Sequence, residues 1–173
     1  MENNNSSTKT KFLASLYKEP AKAEQAYDLL INRGYAKEDI TVVMSDATRD
    51  KNFSQADLPE SSLGTKAMEG MGAGSAIGGT IGAIAGAIFA LGTTLAIPGL
   101  GLVIAGPIAA GLAAAGAGSA VGGLVGTLVG AGFSDERAKE YEDEIKAGGI
   151  LVGIQVPSEK YDMLESDLRT TII

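Results

Sequence analysis

The chain has 173 residues with 24 glycines, an aromatic content of 5% and a net charge of −7, which is room for one ordinary domain and an appendage but not for two full domains. Cys and His are both absent, which excludes structural disulfides, thiolate nucleophiles, most zinc sites and the usual neutral-pH proton shuttle. The acidic balance and the lack of any Lys/Arg cluster argue against a nucleic-acid partner, because phosphate binding relies on grouped cations.

The start, MENNNSSTKTKF, is polar and has no apolar h-region, so residues 1–9 are expected to be a disordered tail without a secretory signal, on a cytoplasmic chain. Residues 10–45 read as the first half of an α+β domain. Lys11–Tyr17 (KFLASLY) alternates as a strand does, and Glu19-Pro20 opens a helix with proline tolerated in its first turn. Ala23, Ala26, Tyr27, Leu30 and Ile31 form one apolar face, and Gly34 is the expected stop. Ile40–Ser45 (ITVVMS) is β-branched and reads as a second strand. Residues 46–65 then read as a polar linker, with only Phe53, Leu58 and Leu63 available for docking.

Residues 132–173 complete the domain. Ser134–Ala147 (SDERAKEYEDEIKA) is a helix with Ser134 as its N-cap and Gly148 as its terminator. Its carboxylates Glu140, Glu142, Asp143 and Glu144 are better explained as a solvated face carrying a Glu142–Lys146 pair than as an acid/base or cation site. Gly149–Val156 (GILVGIQV) is a strand, Pro157-Ser158-Glu159 opens a helix with Tyr161, Leu164 and Leu168 on one face, and Thr170–Ile173 (TTII) reads as a short closing strand. Two β-α-β units in one sheet predict a ferredoxin-like β-α-β-β-α-β sandwich, with residues 46–149 inserted between its second and third strands.

The insertion holds the most unusual composition. From Gly70 to Ser134 there is no charged residue, and two stretches nearly repeat: GAGSAIGGTIG at 72–82 and GAGSAVGGLVG at 116–126. A dinucleotide fingerprint fails on spacing, since Ile77 and Val121 stand where its third glycine must be. Gly101–Gly106 (GLVIAG) has the outer spacing of a P-loop, but Pro107 replaces the phosphate-binding lysine and Ile108 the magnesium-binding Ser or Thr. A flexible filler would be polar, whereas these gaps hold Ile, Leu, Val and Ala.

What remains is a helix period. Gly70, Gly74, Gly78, Gly82 and Gly86 fall every fourth residue, as do Gly118, Gly122, Gly126 and Gly130. Residues four apart stack into one ridge, so each series makes a smooth face for close helix contact. Ile77, Ile81, Ile84 and Ile88 lie on an adjacent face, and Val121, Leu124 and Leu128 do the same in the second copy. Glycine costs about 0.5–1 kcal/mol per helical site relative to alanine, so such helices need tight packing or a membrane to offset the loss. Turns at Pro98-Gly99 and Gly106-Pro107 predict a glycine-zipper helical hairpin over 66–131, with helices at 66–91 and 107–131, each about 37 Å long and able to cross a bilayer.

Two environments suit that hairpin. Its length and lack of charge favour contact with a membrane, the charged domain staying in the cytoplasm. A soluble homo-oligomer, in which the hairpins of several chains bury their Ile and Leu faces against one another, is the alternative, and such a small domain also serves as a ligand-sensing module by fold analogy. Self-association is common to both. No nucleophile is paired with a base and no metal-ligand spacing occurs, so neither enzyme activity, cofactor nor metal is expected.

Phe12–Met44 (FLASLYKEPAKAEQAYDLLINRGYAKEDITVVM) resembles the YflT-like general stress protein domain, and Ala96–Ala110 (AIPGLGLVIAGPIAA) with Phe133–Val152 (FSDERAKEYEDEIKAGGILV) is similar to glycine-zipper proteins carried under stress or membrane-protein labels. The resemblance spans nearly the whole chain. It implies a bacterial protein induced by heat, salt or general stress, and it brings no catalytic residues with it.

Overall fold

The computed structural model describes residues 9–53, 84, 95–97, 101–109 and 123–172. In chain order these form β1 (Thr10–Tyr17), α1 (Pro20–Asn32), a 3-10 turn at Lys37–Asp39, β2 (Ile40–Ser45), α2 (Asp46–Asn52), β3 (Leu95–Ile97), β4 (Leu102–Ala105), α3 (Gly123–Gly130), α4 (Asp135–Lys146), β5 (Ile150–Pro157) and α5 (Ser158–Ile172). The five strands make one sheet in the order β1-β5-β2-β4-β3, and every neighbouring pair is antiparallel. The protein is therefore of the α+β class.

Local chemistry accounts for the ends of the elements. Pro20 sits in the first turn of α1, where its missing N–H is one the helix leaves unbonded anyway. The side chain of Ser45 accepts from the Thr48 backbone N–H to cap α2, and Ser134 accepts from the Arg137 N–H to cap α4. Gly34, Gly132 and Gly148 follow their helices at positive φ, the left-handed conformation that closes a helix at low cost only without a Cβ.

Strand alternation sorts the core onto two faces. On one face lie Leu13, Tyr17, Ile40, Val42, Met44, Val103, Ala105 and the even-numbered positions of β5, covered by α1 through Ala23, Ala26, Tyr27 and Leu30 and by α5 through Leu164 and Leu168. On the other lie Phe12, Val43, Leu102, Ile104 and Leu151, covered by Ile108, Ala109, α3 and α4. β2 is buried along nearly its whole length, the pattern of a central strand covered above and below.

Three expectations are corrected. Thr170–Ile172 is the last turn of α5 and not a closing strand, because Leu164 and Leu168 already hold that helix on the sheet and nothing breaks its period before the end. The polar stretch after β2 starts as a capped helix, α2, and its Phe53 is fully buried in the first core, so the linker assigned to 46–65 begins docked. The tip between the two expected helices is not bare: β3 and β4 lie in it and extend the sheet beyond β2. Apolar runs this short fit a buried strand as well as a turn, and the open edge of β2 supplied the partner. Pro98 and Gly99 lie outside the described residues.

Gly106 makes this extension possible. Its φ is +92°, and a Cβ built on it would sit 2.2 Å from the Ile40 carbonyl oxygen. Gly106→Ala is expected to lower stability by about 3 kcal/mol or more, measured by urea unfolding. Gly34→Ala, at φ +88° but with open space around it, is expected to lose only about 1–2 kcal/mol. Equal losses at the two sites would contradict the close approach.

Candidate functional site

The glycine-rich stretch is the candidate site. Gly70, Gly74, Gly78, Gly82, Gly86, Gly118 and Gly122, with Ile77, Ile81, Ile88 and Val121, lie outside the described residues. Gly126, Gly130, Ile84, Leu124, Leu128, Gly106 and Pro107 lie within them, and their positions answer part of the question the sequence raises.

Leu124 and Leu128 are fully buried on α3, in the core beneath the second face of the sheet with Leu102, Ile104 and Leu151. Ile84 is fully buried too, but in the core of the opposite face, with Tyr27, Leu30 and Val103. The described members of the two apolar stripes thus meet the sheet from opposite sides. Gly130 is exposed, with no described atom within 4 Å of a Cβ built there. Gly106 and Pro107 form the exit from β4 into a helical turn that seats Ile108 and Ala109 on the second face.

Ile84 has a second anchor. Its backbone N–H donates to both carboxylate oxygens of Glu24, at 3.1 and 3.3 Å, and Glu24 is only 2% exposed on α1. A backbone N–H given to a carboxylate is a charge-assisted hydrogen bond, stronger than a neutral one. The sequence reading passed over Glu24; the signal available was a carboxylate between Ala23 and Ala26 on the face of α1 that was expected to be apolar.

Tyr27, one turn further along α1, has a buried hydroxyl without a hydrogen-bond partner among the described residues. Burial holds its phenol well above the usual value near 10, and the nearby carboxylates of Glu38, Glu24 and Asp28 add to the effect. Burial likewise raises the Tyr17 phenol, with Ser15 partly offsetting it, and the Asp28 carboxyl.

A surface depression lies elsewhere, along the outer edge of β1. It is a groove of about 660 Å³ between α4 and α5, and it carries both signs of charge: Lys18, Lys22, Arg137 and Arg169 against Glu19, Glu140, Glu144 and Glu165. Several pair locally, as Arg137 does with Glu140 and Arg169 with Glu165, while Arg137 also lies 5.1 Å from the Tyr141 ring. Among the described residues no group of three carboxylates is placed to hold a metal ion, and no helix is long and apolar enough to cross a membrane.

The chain matches no known protein family, no curated protein and no solved structure.

Burial of the stripe has a measurable consequence. Leu128→Ala is expected to destabilise the protein by about 2–5 kcal/mol, as for other leucines emptied from a core, whereas Val129→Ala at its 37% exposed neighbour should change stability by about 0.5 kcal/mol or less. Chemical denaturation of the two variants checks this; a near-neutral Leu128→Ala would mean the stripe does not seat on the sheet.

The Tyr27 phenol sets a pH dependence. The unfolded chain loses that proton near pH 10 while the folded chain keeps it to higher pH, so its contribution is intact below pH 10 and is lost as pH climbs toward the folded value. Tyr27→Phe is expected to flatten the loss of stability above pH 10 and, by removing an unpartnered buried hydroxyl, to leave stability at pH 7 unchanged or slightly higher. Melting temperatures across pH 7–11 test both.

Proposed function

We propose that the protein is a non-enzymatic, self-assembling general stress-response protein. In this reading the glycine-rich stretch seats its apolar stripe on the protein's own sheet and offers its smooth glycine ridge to further copies. The observation that carries it is the complete burial of Ile84, Leu124 and Leu128, because a stripe covered within the chain leaves the glycines as the face available for contact. The exposed Gly130 fits this use. The stress-response part rests on the resemblance of Phe12–Met44 to the YflT-like domain. The sheet order β1-β5-β2 supports a ferredoxin-like ancestry for the flanks, in which the position beside β1, where that sandwich would place its closing strand, carries none among the described residues.

Membrane association is the second reading, favoured by the uncharged run from Gly70 to Ser134. It requires the apolar stripes to exchange the sheet for lipid, which strips cover from both faces of the sheet.

Flotation of the full-length protein with phospholipid vesicles, alongside light scattering of the unfloated fraction, separates the two. The expected result is a protein that stays with the aqueous fraction as an assembly and loses subunits on Gly78→Leu plus Gly122→Leu. Flotation with the vesicles in the absence of detergent would favour the membrane reading, and an assembly indifferent to both substitutions would remove the glycine ridge as its cause.

A further inference from the structure

We propose that the free edge of β1 is a homodimer interface, in which β1 of one copy pairs antiparallel with β1 of a second about a twofold axis beside Ala14. β1 is a terminal strand of the sheet, and its backbone polarity can be read from its ends. The Ser158 N–H donates to the Lys9 carbonyl at 2.9 Å, one step beyond the Thr10–Pro157 pair. Alternation along an antiparallel ladder then turns the odd-numbered peptide groups of β1 toward β5 and those of Phe12, Ala14 and Leu16 outward. The Tyr141 hydroxyl reaches the outward carbonyl of Ala14 at 3.4 Å. That long bond uses one of the two lone pairs of the oxygen and leaves the other for a ladder bond.

Among the described residues the edge is guarded on both sides but not covered: the groove of about 660 Å³ runs along its Ala14–Tyr17 half, walled by α4 and α5. Its occupant is identified by charge. A groove with interleaved signs suits a partner that carries the same pattern reversed, which a twofold rotation of the groove itself supplies. With Ala14 opposite Ala14, Phe12 meets Leu16 of the second copy, and Lys9 meets its Glu19, so no like charges stand opposite each other along the strand. α4 gives an independent match. Tyr141 lies level with Ala14, so the same axis passes near the middle of α4 and places Arg137 against Glu144 of the second copy, twice. An unrelated extended segment would meet this groove without that double match. The resulting sheet would be continuous across the dimer, by edge-to-edge strand addition.

This interface does not depend on the glycine ridge, and the experiment keeps the two apart. Sedimentation equilibrium of the full chain carrying Gly78→Leu plus Gly122→Leu, which removes assembly through the glycine ridge, is expected to give a dimer, which adding Ala14→Pro reduces to a monomer. The Ala14 N–H faces away from β5, so proline there removes a bond to the second copy and none within the chain. Arg137→Glu is expected to weaken dimerisation about tenfold or more, and adding Glu144→Arg to restore it to within about threefold of the original. Circular dichroism checks that each variant folds; should Ala14→Pro unfold, the charge exchange decides alone. A monomeric parent chain overturns the proposal, as does a double variant that is not restored. An assembly that ignores the edge substitutions but dissociates on Gly78→Leu plus Gly122→Leu also overturns it, while leaving the glycine reading intact.

Discussion

The sheet is apolar on both faces, and the rest of the architecture follows from the need to cover it twice. β2 shows this most plainly: Ile40, Val42 and Met44 point into one core and Val43 into the other, all with 2% exposure or less. Each large aliphatic side chain left in water would forfeit about 1.5–3 kcal/mol. The flanking segments β1-α1-β2 and β5-α5 supply only one covering layer, α1 and α5. The second layer comes from α3 and α4, and the insertion is what delivers it.

That constraint changes what the charge-free composition means. An uncharged run is easily read as a segment prepared for lipid. Here Leu102, Ile104, Ile108, Leu124 and Leu128 spend their apolar surface on the sheet, while Val103 and Ala105 serve the opposite core. The insertion is thus partly a structural element of the domain, adding β3 and β4 to the sheet and α3 and α4 to its second layer. Gly106 is where this is tightest, since the turn after β4 passes against the Ile40 carbonyl with no space for a side chain.

Glycine also marks a second close approach. Gly153 on β5 lies under the Phe12 ring, which a Cβ would meet at 2.6 Å. Phe12 in turn stands edge-on to Phe133, and Phe133 edge-on to Tyr141. This aromatic run joins β1 to α4 and brings the Tyr141 hydroxyl to the strand edge. Packing inside the second core therefore sets the position of the groove walls outside it.

Read alone, the sequence determined the local structure: the alternation of Lys11–Tyr17, the 3.6-residue period of Ala23–Leu30, the β-branched Ile40–Ser45, the caps at Ser134 and Gly148. These are legible because they depend on neighbours a few residues away. Pairing and layering were not. Leu95–Ile97 and Leu102–Ala105 are too short to be told from a turn until β2 offers an edge, and Thr170–Ile172 carries strand-like residues that a helix already seated by Leu164 and Leu168 absorbs. The period of Ile84, Leu124 and Leu128 showed that they share faces but not what those faces meet. Only the tertiary structure decided that they meet the two sides of one sheet, because periodicity reports which residues point together and burial depends on what the rest of the chain places opposite them.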